Sequence, residues 1–187
     1  MTATPALNDA WQRLEPFLQP GERLRWAGRP DPKVHFTKAD IYLVPFSLLW
    51  GGFAMVWETL AITGDSPAHF ALWGIPFVLM GLYFIFGRFI YKRRRKLTTV
   101  YGLTDSRAIV SVTERSVTDA PVKGASVQTD RSRDGRHATV IFGGNGKPAP
   151  YQNTGMDFFT IGSAQTVGFF DVADPDALIR ELNSVRR

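Results

Sequence analysis

The chain has 187 residues, no cysteine and a formal net charge of +5. Its length bounds the fold at one or two small units, and the missing thiols exclude a disulfide framework and thiolate metal sites. Charge by segment argues against a nucleic-acid binder: residues 1–40 carry +1, 41–87 carry −2, 88–96 carry +6 and 97–187 carry 0. The basic excess sits in nine residues beside an apolar stretch, not over a folded face.

Residues 1–40 read as a cytoplasmic helix and strand. Asn8 is placed to cap a short helix with Leu7, Trp11, Leu14 and Leu18 on one face, although Pro16 interrupts the pattern. That apolar face is read as packing on protein rather than on a bilayer. Pro20-Gly21 then turns the chain into ERLRWAGRP, a strand that Pro30 and Pro32 end.

Residues 41–91 read as a transmembrane hairpin. Ile41–Ile62 and Phe70–Tyr91 are apolar runs of 22 residues each, enough for a ~30 Å hydrocarbon core at about 1.5 Å per residue. The Leu, Ile, Phe and Val residues between Ile41 and Val56 favour insertion by about 2.5–5 kcal/mol, which a central acid would largely cancel. The only charges, Glu58 and Arg88, lie near segment ends, where they are expected to reach the headgroups. Trp57 and Trp73 fall near one interface, Tyr42 and Tyr91 near the other. Pro45 and Pro76 are expected to kink the helices. Two all-apolar helices of this length need more core than the rest of the chain can supply as a soluble protein. A cleaved signal peptide is not expected, because the first apolar run starts at residue 41. The linker TGDSPAH has no Lys or Arg, whereas Arg29, Lys33, Lys38, Arg88 and Lys92–Lys96 flank the spans. Positive-inside bias therefore puts both termini in the cytoplasm.

Residues 97–187 change to strands and turns. Strands are expected near 98–103, 107–113, 116–122, 125–131, 137–143, 156–162 and 167–172, with Asp134-Gly135 and Asn145-Gly146 as tight turns. A last helix follows, with Asp174 as cap, Pro175 in its first turn, and Leu178, Ile179, Leu182 and Val185 on one face. Seven short strands and a terminal helix point to a small β-barrel or sandwich capped by that helix.

Three segments carry a resemblance: PGERLRWAGRP before the hairpin, YGLTDSRAIV after the basic run, and FFDVADPDALIREL at the end. In this order the chain resembles the bacterial PH-like (pleckstrin-homology-like) membrane proteins. The resemblance implies an α+β membrane protein of the bacterial cell membrane, with a PH-like fold of two packed antiparallel sheets and a C-terminal helix. It implies no agreed enzymatic activity.

Two basic groups are candidate anion or lipid contacts. Lys92, Arg93, Arg94, Arg95 and Lys96 could hold anionic headgroups at about 1 kcal/mol per charge, although fixing topology is the simpler role. Arg131, Arg133 and Arg136 surround the Asp134-Gly135 turn and could fork onto phosphate, but Asp130 and Asp134 interleave with them. Asp105 beside Arg107 likewise makes a poor anion pocket. The glycine-rich stretch after Phe142 departs from a phosphate loop, with Ile141 and Pro148 breaking the spacing. His35, His69 and His137 fall on opposite sides of the expected membrane, and no paired-carboxylate or G-x-S-x-G spacing occurs. The expectation is a non-enzymatic adaptor without cofactor or metal, offering its β domain to a protein partner or another copy. An anionic-lipid sensor is the alternative.

Overall fold

The computed structural model describes residues 5–64, 67–143, 149, 151–157 and 166–187. Two antiparallel sheets and two long apolar helices give an α+β architecture. The first sheet runs β1 (Leu24–Gly28), β2 (Val100–Thr104), β3 (Arg107–Thr113), β4 (Ser116–Pro121), hydrogen-bonded in that order. The second runs β5 (Val127–Arg131), β6 (His137–Phe142), β7 (Val167–Ala173). The sheets do not close into a barrel, which decides between the two β architectures read from the sequence in favour of the sandwich.

Alternation places Tyr101, Leu103, Val140, Phe142, Phe169 and Val172 in one core between the sheets. Tyr101 stacks on Phe169 at 4.9 Å between ring centroids, and Phe142 meets the same ring edge-on at 4.8 Å. The terminal helix α5 (Pro175–Arg186) adds Leu178, Leu182 and Val185 to this core. The outer face of the first sheet is covered by α1 (Pro5–Leu14), whose Ala10 and Leu14 pack on Ala27, Val100 and Ile109. Cover on both faces explains why every residue of β2 is buried.

Two details depart from the sequence pattern. The face of α1 that packs is Ala10 and Leu14, while Trp11 is exposed; Asn8 lies inside the helix rather than capping it, since the helix already starts at Pro5. Asp174 stands at the N-cap of α5 but in a left-handed conformation (φ 54°), and its side chain makes no capping bond. Of the strand expected at 156–162, residues 158–162 lie outside the described ones, and Met156 and Asp157 are not in a strand.

Between β1 and β2 the chain makes a helical hairpin. Its first arm is α2 (Asp40–Thr63). The second is continuous through α3 (Ala68–Leu82), a π-helical segment Tyr83–Gly87, and α4 (Arg88–Thr98). Both arms continue through their prolines, Pro45 and Pro76. The arms meet where Gly51 and Gly81 touch: a Cβ at Gly81 would lie 2.8 Å from the Gly51 Cα. Trp50–Phe77 and Phe46–Phe84 ring contacts at 6.2 and 6.3 Å flank that point. Large apolar side chains including Leu49, Phe53, Leu72, Trp73 and Leu79 face outward. Both arms are long and apolar enough to cross a membrane. The second, at 31 residues, is about 46 Å long and outruns a ~30 Å hydrocarbon core. It carries the basic run as helix up to Thr98, which is why β2 starts later than the sequence pattern placed it.

Candidate functional site

Arg88, Lys92 and Lys96 recur every fourth residue and so share one face of α4. That face is turned inward, against the irregular leader at residues 31–39 and the end of β7. Arg88 is fully buried; its Nε donates to the Phe84 carbonyl at 2.8 Å, its Nη1 pairs with Asp40 at the start of α2, and its guanidinium lies 4.1 Å from the Phe89 ring centre. Lys92 Nζ donates to the His35 carbonyl at 2.9 Å. Lys96 Nζ donates to the carbonyls of Val34 (2.6 Å) and Asp31 (3.1 Å) and pairs with Asp171 at 2.6 Å. The leader has no sheet or helix to satisfy these carbonyls, so the lysines complete its hydrogen bonding.

This corrects two expectations. Lys92 and Lys96 are interior supports rather than headgroup contacts, and Arg88 is sealed against Asp40 rather than extended toward the headgroups. Of the five-residue run, Arg93 and Arg94 are exposed, and Arg95 is half-buried in an ion pair with Asp157 at 2.8 Å. Glu58 lies against Gly74 of the opposite arm, and its Oε2 is buried without a hydrogen-bond partner among the described residues.

The loop at 151–157 grips the second arm at its π-helical segment. Tyr83 donates its hydroxyl proton to the Gly155 carbonyl at 2.6 Å, and Gly155 (φ +83°) sits directly against the Arg88 backbone carbonyl, leaving no room for a Cβ. Tyr151, Asn153 and Asp171 all adopt positive φ (62°, 61° and 52°). Such conformations cost about 1–3 kcal/mol each and persist where surrounding contacts force them. Here Asn153 Nδ2 donates to the Asp171 carboxylate at 2.9 Å, and the Asn153 amide donates to Asp157 at 2.9 Å. π-segments and strained residues concentrate at functional sites, so this corner is the first place to look for one.

Two cavities adjoin it. The smaller, about 60 Å³, lies beneath α4 among Lys92, Arg95, Lys96, Asn153 and Asp157, with room only for water. The larger, about 600 Å³, is a groove over the outer face of the second sheet. Its floor is Gln128, Thr139, Ile141 and Phe170; the leader from Val34 to Ala39 forms one wall and Gln152–Thr154 another. The charges at the groove are paired: Lys38 with Asp130 at 2.5 Å, His137 with Asp31 at 3.0 Å, Asp171 with Lys96, and Arg131 with Asp176 at 2.8 Å. Burial would raise the Asp31 carboxyl, but the Lys33 amide and the His137 ring hold it below its ordinary value.

The second basic group does not converge. Arg131 is engaged by Asp176 of α5, whereas Arg133 and Arg136 are exposed around the β5–β6 turn. That turn is organised internally: Asp134 accepts from the Ser132 hydroxyl at 2.5 Å and from the Arg136 amide at 3.2 Å. Arg107 serves the segment that precedes β1. Its Nε and Nη2 both bond the Glu22 carboxylate at 2.9 Å, while Thr104 (2.7 Å) and Ser106 (3.1 Å) donate their hydroxyls to it. Arg107 above all, opposed by burial, holds the Glu22 carboxyl at about 2 against an ordinary 4.5. Asp105 accepts from the Arg23 amide instead, at 3.4 Å. Residues 144–148 of the glycine-rich stretch lie outside the described ones.

The residues that the sequence did not single out are the acids: Asp31, Asp40, Asp157 and Asp171. The four-residue spacing of Arg88, Lys92 and Lys96 was a visible signal of a common face, but nothing in sequence named its partners. No protein-family model matches the chain, and neither curated proteins nor solved structures yield a match.

Proposed function

We propose that the chain is a non-enzymatic, PH-like adaptor whose hairpin crosses the bacterial cell membrane and holds its β domain at the inner leaflet. The observation that carries this reading is the charged root of the hairpin. Arg88, Lys92 and Lys96 lie at and just beyond the end of the second apolar stretch and bind the leader, Asp40 and β7. A domain tethered by a loop would tumble; one bolted to its helices through buried polar contacts is held in one orientation. The Lys/Arg excess at this end supports a cytoplasmic β domain with both termini inside. The four-plus-three strand order with a closing terminal helix supports reading this end as one folded β domain.

The partner is a protein or a second copy, met through the sheet edges. Among the described residues, β4 and β5 terminate their sheets and are largely exposed, and such edges accept an added strand. The test is purification in mild detergent after crosslinking in cells: co-purifying or self-associated chains are expected. A strictly monomeric species without partner would count against the adaptor.

Exposed Arg93 and Arg94 beside the apolar stretch favour a second reading, an anionic-lipid sensor, with Arg133 and Arg136 as further contacts. In this reading Arg93→Gln/Arg94→Gln weakens retention of anionic lipid by the purified full chain. Unchanged retention removes it.

A further inference from the structure

We propose that the groove over the second sheet is a headgroup site for phosphatidylethanolamine, a zwitterionic phospholipid with a primary ammonium, drawn from the inner leaflet. The inference rests on the membrane reading above and goes beyond it in naming a ligand. At about 600 Å³ the groove has the size of a small-molecule site. Its apolar floor, Ile141 and Phe170, is interspersed with the neutral donors and acceptors of Gln128 and Thr139.

The charge pattern selects the ligand. Lys38 and Asp130 meet in an ion pair at the groove, and both side chains remain well exposed, so a ligand can open the pair. An anionic headgroup would gain Lys38 but meet Asp130 and Asp171; a cationic one would meet Lys38 and Arg131. A headgroup carrying both signs can replace the Lys38–Asp130 pair without leaving either charge alone, phosphate on Lys38 and ammonium on Asp130. The exposed carboxylate of Asp130 rewards N–H donors, which favours a primary ammonium over a quaternary one. The geometry also supplies a route. The wall holding Lys38 runs directly into α2, and Phe36, Ile41 and Tyr42 along it are exposed apolar surface for acyl chains.

The test uses the full chain in mild detergent, offered in turn dioleoyl-phosphatidylethanolamine, -phosphatidylcholine, -phosphatidylglycerol and soluble phosphoethanolamine, with bound species counted by native mass spectrometry. A single phosphatidylethanolamine adduct is expected, favoured about tenfold over phosphatidylglycerol. Gln128→Trp, a strand-compatible change at an exposed floor position, and Lys38→Glu should each reduce it about tenfold, with thermal unfolding of both variants near wild type. Equal or stronger retention of phosphatidylglycerol, equal retention of phosphatidylcholine, binding of phosphoethanolamine without the lipid, or an adduct that survives Gln128→Trp would each overturn the proposal. Alkaline extraction in parallel separates the two levels: a chain that stays in the membrane but takes no adduct defeats the headgroup site alone. A chain released by alkali defeats the hairpin reading and this inference with it.

Discussion

The two arms of the hairpin are joined by opposite chemistry in their middle and at their root. In the middle, Gly51 and Gly81 let the backbones approach, and aromatic rings fill the flanks. At the root, Asp40 and Arg88 form a buried pair, and Lys92 and Lys96 bind carbonyls of the leader. The difference teaches what each contact is for. Small residues let the two helix backbones approach closely. A buried ion pair adds little net stability over an apolar substitute, but it penalises every arrangement that leaves one charge alone. The middle supplies cohesion and the root supplies geometry.

That contrast can be broken most forcefully at Asp40. Asp40→Ala leaves Arg88 buried and uncompensated and is expected to cost about 3–5 kcal/mol, read from thermal unfolding of the detergent-solubilised chain. Adding Arg88→Met should restore most of the loss, and failure to do so would mean the root is not organised around this pair. In the middle, Gly81→Leu forces the arms apart and should cost about 1–3 kcal/mol, read by the same scan.

A third joint, between Glu22 ahead of β1 and Arg107 of β3, sharpens the comparison through pH. Glu22 is held at about 2 against an ordinary 4.5, so the folded state favours its ionised form. Its contribution is complete above about pH 4.5 and is lost as pH falls toward about 2. Hydrogen exchange of the β1 amides should accelerate across that window, and Glu22→Gln should flatten the response. The smallest effect is expected at the β5–β6 turn, where Arg133→Ala and Arg136→Ala leave stability within about 0.5 kcal/mol by the same unfolding measurement.

How far the sequence foretold these features depended on whether the signal was local. The helical arms were legible because apolar runs of 22 residues leave few alternatives; their observed limits, Asp40–Thr63 and Ala68–Thr98, differ chiefly where the basic run continues the helix. β3 and β6 were legible from alternation and turn residues. The face read at the N-terminus holds at Leu14 and Leu18 and fails at Trp11, which weighs heavily in an apolar pattern, while Ala10, too small to stand out, is the residue that fits under the sheet. The root was hardest. A run such as Lys92–Lys96 looks solvent-facing, and its inward members are revealed only by acids and carbonyls far away in sequence, at Asp31, Val34, His35 and Asp171. The groove was invisible for the same reason, being shared by the leader, three strands and the 152–154 loop.

The adjacency of β1 and β2 in one sheet, with the whole hairpin threaded between them, has a consequence for biogenesis. Under the proposed topology these strands meet only if both spans insert. A chain that inserts one leaves them on opposite sides of the bilayer, with the sheet's central strand missing a neighbour. Under that topology, completing this one sheet requires that both spans be inserted.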